Sequence, residues 1–189
     1  PRQRGFNASV CFVLALVLVL RAQRGLDSRG GIVAVVSGRY TSTGNSSYVY
    51  VIDTGVYSGH ADFAGRVTSG YSAISDGNGS EDCNGHGTHV AGIIGSNTYG
   101  VAERVTLVPV RVLDCTGSGT TASVVAGINW AVLNHLNYYN GLPAVMNLSL
   151  GGAQSTALDA AVKYATDNGI IVTVAAGNSS QDACRFSRK

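Results

Sequence analysis

Tyr48-Val49-Tyr50-Val51-Ile52-Asp53-Thr54-Gly55 is a short β-rich run that ends in an acid and a glycine. Further on comes Asn84-Gly85-His86-Gly87-Thr88-His89-Val90-Ala91-Gly92, a histidine set between glycines at the head of a small-residue helical segment. These two stretches start a pattern that runs through the rest of the chain. Strand candidates follow at Arg66 to Ile74 (weaker), Thr106 to Leu113, Ala144 to Leu150 and Gly169 to Ala176. The last is nearly continuous in β-branched residues, as a strand buried on both faces should be.

Helical patterns separate the strands. His86 to Ser96 is short and rich in small residues. Thr120 to Tyr138 places Val124, Ile128, Val132 and Leu136 on one face, with Val125 and Leu133 beside it. Ser155 to Asn168 repeats Leu158, Ala161, Val162 and Ala165 and stops at Gly169, where a helix C-cap belongs. Alternating strands and helices predict an α/β fold with a mostly parallel sheet flanked by helices.

Bulk composition agrees. A chain of 189 residues with 45% hydrophobic and 13% charged residues can bury one real core and is not disordered. The net charge of +2 gives no reason to expect nucleic acid. Residues 1–39 share none of the strand–helix texture. Their apolar run Val10 to Leu20 is short for a membrane span and resembles the core of a secretory signal, although no small-residue cleavage site follows it. The alternatives for that run are a buried strand and a membrane anchor. Four cysteines, Cys11, Cys83, Cys115 and Cys184, show no zinc spacing and allow three pairings.

The chemistry concentrates at strand ends, where open α/β sheets bind ligands. Asp53 directly follows its strand and can orient an imidazole, or can cap its own turn. His86 is the candidate general base. His89, one turn on, makes a His-x-x-His metal pair conceivable, but no third ligand stands near in a zinc spacing, so a core histidine is the expectation for it. Asn178, after Ala175-Ala176-Gly177, can donate its amide to a developing oxyanion, or can occupy a left-handed turn.

Taken together and in this order, Val51-Ile52-Asp53-Thr54-Gly55, Asn84 to Gly92 and Ala175-Ala176-Gly177-Asn178 resemble the motifs of subtilisin-like serine peptidases of the proteinase K type. The resemblance runs from about Tyr40 to Ser187. It implies a subtilisin-like fold over residues 40–189 and an Asp–His–Ser triad in which Asp53 and His86 are two members and Asn178 serves the oxyanion. It further implies that Gly117-Ser118-Gly119 and Ser149-Leu150-Gly151-Gly152 hold a polypeptide substrate as an added strand. Ala175, Ala176 and Gly177 would line the first specificity pocket. By the same resemblance Cys83 and Cys115 pair as a disulfide, and the protein is secreted, monomeric and independent of any cofactor for catalysis. Asp76, Asn78 and Asp82 alternate in the manner of a calcium loop, so a structural calcium is one expectation there and a solvated turn the other. None of the Asn-x-Ser/Thr sites is assigned as glycosylated.

The family's nucleophile, a serine in a Gly-Thr-Ser-Met-Ala setting, has no match; Met146 is the chain's one methionine, and Ser179, Ser180 and Ser187 lack the context. The reading is therefore a catalytic domain truncated on its C-terminal side, with residues 1 to about 38 expected to include untranslated, intronic or frame-shifted sequence. The parent protein is expected to be a serine endopeptidase. The alternative is a catalytically inactive subtilase-like peptide binder.

Overall fold

A computed structural model describes residues 43–175. The N-terminal segment 1–39, the apolar run Val10 to Leu20, Cys11, Cys184 and the trio Ala176, Gly177 and Asn178 lie outside the described residues. In chain order come β1 (Tyr48–Asp53), a short 3-10 turn (Ala61–Phe63), β2 (Tyr71–Ser72), α1 (His86–Gly95), β3 (Thr106–Arg111), α2 (Thr121–Tyr138), β4 (Ala144–Leu148), α3 (Thr156–Asp167) and β5 (Ile171–Val174). The five strands form one sheet in the order β2-β3-β1-β4-β5, and every pairing is parallel.

Side-chain alternation sorts the strands onto two helix layers. Tyr50 and Ile52 of β1, Val108 and Val110 of β3, and Met146 and Leu148 of β4 share a core with Val124, Ile128 and Val132 of α2 and Leu158 and Val162 of α3. Val49, Val51, Leu107 and Val145 face the other way, against Ala91 and Ile94 of α1 and Phe63. Both faces of the central strands β1, β3 and β4 are covered, so these read as continuous apolar runs; β5, expected to be buried on both faces, lies at the edge of the described sheet and is mostly half-buried. The crossover from β3 to β4 passes β1, which makes the carboxyl end of β1 a point where neighbouring connections diverge and a crevice opens.

The helix ends follow local chemistry. Thr120 and Ser123 form a reciprocal capping box at 3.0 Å in each direction. Ser155 accepts from Leu158 N at the start of α3, and Gly169 ends that helix at φ +81°.

Three sequence expectations are corrected. The Arg66 to Ile74 strand is reduced to Tyr71–Ser72 and an isolated bridge between Val67 and Leu107. Leu107 N–H donates to Arg66 O, and the next residue of β3 on that side is Pro109, which has no N–H to give, so the ladder breaks there. On α2 the buried stripe is Val124, Gly127, Ile128, Ala131, Val132 and His135, while Leu133 is exposed. Small residues let the helix sit close to the sheet. His89 is exposed rather than in the core.

Two outcomes follow for stability. A Cβ on Gly127 would lie 2.4 Å from Val112 Cγ1, so Gly127→Ala is expected to lower the unfolding free energy measured by urea titration by about 1–3 kcal/mol despite the better helix propensity of alanine. His135 is buried, its Nδ1 has no hydrogen-bond partner among the described residues, and burial pushes its pKa below the usual value of 6.5. The unfolded chain therefore binds this proton more readily, and the His135 contribution is present above about pH 6.5 and lost as pH falls. His135→Leu is expected to flatten the fall in urea midpoint between pH 7.5 and pH 5.

Candidate active site

β1 ends by delivering Asp53, fully buried, to the mouth of the crevice. The chain then turns through Gly55 at φ +104°, where a Cβ would stand 2.6 Å from Ser80 O. α1 starts at His86 after Gly85, which adopts φ +102°. Gly87 lets the helix head press on this turn, since a Cβ there would be 2.1 Å from Gly55 O.

These contacts bring Asp53 Oδ1 to 2.8 Å from His86 Nδ1. Asp53 Oδ1 also accepts Thr54 N at 2.7 Å, and Asp53 Oδ2 accepts nothing from the described residues. The carboxylate can only accept, so the proton of neutral His86 belongs on Nδ1 and the lone pair on Nε2. The hydrogen bond to Asp53 raises the His86 pKa above its usual value. Partial burial opposes that rise, and the negative charges of Asp53 and Asp82 add to it. The imidazole is half exposed, so it can meet a bound group.

Beside it lies a groove of about 520 Å³. His86 and Thr54 stand with Gly117, Ser118 and Gly119 and with Ser149, Leu150, Gly151 and Gly152 in its wall. The two segments read from the sequence as substrate strands therefore meet at the histidine. Under the second segment, buried Asn147 donates to Ser149 Oγ at 2.9 Å and accepts Thr173 Oγ1 at 3.0 Å, which ties the groove to β5. Ala175 N donates to Leu148 O, so Ala175 continues β5 beside the end of β4.

The sequence did not reveal the roles of Thr54, Thr88 and Arg111. The first two lie inside the quoted motifs; Arg111 looks like an ordinary strand residue. Arg111 is fully buried and grips Asp76 with its two terminal nitrogens, Nη1 and Nη2, at 2.6 and 2.5 Å. That grip holds the Asp76 carboxyl well below the usual carboxylate range. Asp82 accepts from Thr54, Asn84, Gly85 and Thr88. Burial alone would raise its pKa; these hydrogen bonds outweigh that and lower it. Asn78 points its amide nitrogen at Cys115 Sγ, 3.8 Å away. Asp76 and Asp82 thus hydrogen-bond to donors of the protein itself, and Asn78 directs its amide N–H to Cys115. His86 and His89 do not belong to any three-residue metal-ligating group among the described residues. Cys83 and Cys115 are joined as a disulfide, bracing the segment before His86 against the segment after β3.

A buried aspartate holding Nδ1 of a groove-lining histidine, at the carboxyl end of a parallel sheet, is the arrangement that the motifs imply. A model of the subtilase family (Peptidase_S8) matches residues 44–187. The chain belongs to the subtilase family. This subtilase chain is 51% identical over 177 residues to an extracellular serine proteinase of Thermus sp. (strain Rt41A), covering 93% of the chain and 42% of that relative. It is 50% identical over 151 residues to alkaline serine exoprotease A of Vibrio alginolyticus, covering 80% of the chain and 27% of that protein. The fold is similar to the crystal structure of a cold adapted subtilisin-like serine proteinase, with a TM-score of 0.74 at 46% identity over 92% of this chain and 59% of that one. The chain thus spans less than half the length of the sequence relatives named here.

The pairing sets a titration. His86 is expected to titrate above 6.5 in the folded chain, and Asp53→Asn to bring it down, as read by imidazole NMR. The stability this pair supplies is complete below the unfolded pKa and is lost as pH rises through the folded one.

Proposed function

We propose that the protein containing this chain is a serine endopeptidase that binds polypeptide as an extended strand and hydrolyses its peptide bonds. The observation that carries this reading is the Asp53–His86 hydrogen bond at the edge of the groove formed by Gly117–Gly119 and Ser149–Gly152. His86 Nε2 takes the hydroxyl proton of a serine outside these 189 residues as it attacks the carbonyl, then returns the proton to the leaving amine. Asp53 holds the ring and stabilises its charged form. Asn178 donates to the oxyanion, and Ala175, Ala176 and Gly177 border the pocket for the first substrate side chain. The names of the relatives support the peptidase class, and no observation favours the inactive alternative.

Secretion fits the Cys83–Cys115 disulfide and the word extracellular in the Thermus relative's name. No helix among the described residues is long and apolar enough to cross a membrane. We read the protein as monomeric, with neither nucleic acid nor membrane as partner.

The test is peptide hydrolysis by the full-length protein. His86→Ala is expected to cut turnover by about six orders of magnitude, and Asp53→Asn by about four. A His86→Ala protein that keeps turnover within about tenfold of its parent would remove the reading.

A further inference from the structure

Asp82, first read as part of a calcium loop, is surrounded by donors. Its Oδ1 accepts from Thr54 Oγ1, Asn84 N and Gly85 N, each at 2.9 Å. Its Oδ2 accepts from Thr88 N at 2.9 Å and Thr88 Oγ1 at 2.5 Å. The two hydroxyls are acceptors in their turn. Thr54 Oγ1 takes Gly87 N at 2.9 Å, and Thr88 Oγ1 takes Tyr57 N at 3.0 Å.

Two relays therefore converge on one carboxylate. The first starts on Thr54, the residue after Asp53, and the same hydroxyl holds Gly87, the residue after His86. The second starts on Tyr57, in the loop that follows β1, and passes through Thr88 on the first turn of α1. Each relay spans from the chain segment that carries Asp53 to the helix turn that carries His86.

We propose that Asp82 is a positioning residue for the Asp53–His86 pair: it fixes the helix head to the strand end and so sets the distance between the two side chains. The proposal rests on the catalytic reading of that pair given above. Asp82 makes no hydrogen bond to Asp53 or to the His86 ring; apart from its negative charge near the imidazole, it acts through Thr54 and Thr88. The chemistry requires a carboxylate. Each hydroxyl takes an N–H on a lone pair and spends its proton on Asp82, so residue 82 must accept on both oxygens. An amide there would turn an N–H toward other donors in either orientation. The effect on the pair is large because a hydrogen bond weakens steeply once its partners shift or tilt.

The experiment follows the far-downfield Nδ1–H proton of His86 by NMR in the full chain, together with backbone amide protection in β1. Thr54→Val keeps the side-chain volume and removes the hydroxyl; Thr54→Ser keeps the hydroxyl. Thr54→Val and Asp82→Asn are expected to speed exchange of the His86 proton with water by about tenfold or more, the worth of a hydrogen bond to an ionised group, while Thr54→Ser stays within about twofold of the parent. Amide protection in β1 is expected to stay unchanged in all of them. The proposal is overturned if Thr54→Val exchanges as slowly as the parent, if Thr54→Ser is as fast as Thr54→Val, or if β1 protection falls in step. Should Asp82→Asn fail to fold, the Thr54 pair decides alone. A parent chain with no such downfield proton contradicts the Asp53–His86 pairing itself, which is a separate failure from a relay with no effect.

Discussion

Enclosure of β1 is the constraint on which the rest of the structure depends. It is hydrogen-bonded to β3 on one edge and β4 on the other, and helices cover both faces. Residues Val49 to Val56 include no exposed position. A strand held this way delivers its terminal residue to a fixed place, and that residue is Asp53. The cost is a buried carboxylate, which the fold accepts because His86 stands against it.

Charge at this end of the sheet is arranged with similar care. Asp53 and Arg111 are in register on neighbouring strands and both are fully buried, yet neither is given the other as its hydrogen-bond partner. Arg111 turns to Asp76, which leaves the aspartate for the imidazole. The polar loop between β2 and α1 thus has two anchors, Asp76 on the sheet and Asp82 on the helix head, with the disulfide at Cys83 beside them.

Much of this was legible in the chain. The central strands and the parallel sheet followed from pattern, because residues buried on both faces leave a continuous apolar trace; the segments that border the groove beside His86 were suggested only by the family resemblance. The inner face of α2 was read less well. Its closest contacts are made by Gly127, Ala131 and His135, residues that hydrophobicity underweights, whereas Leu133 looked inward and is exposed. Pro109 carried a readable warning that the β2 ladder would break. The acids of the loop were the hardest: alternation of Asp76, Asn78 and Asp82 says nothing of their protein partners, and only three-dimensional neighbours show that arginine, hydroxyl and backbone donors reach the Asp76 and Asp82 carboxylates.

The grip of Arg111 on Asp76 has a bearing on survival. The segment from Asp76 to Asp82 is polar, carries Gly77 and Gly79, and stands on the surface near the groove, which is the profile of a stretch that endopeptidases nick. To be cut, it must first peel away and extend. Peeling it away would break the paired hydrogen bonds between Arg111 and Asp76 and the bond from Arg111 to Gly79 O. A cationic staple rising from the sheet floor therefore holds the loop in its folded path, away from the extended form that cleavage needs.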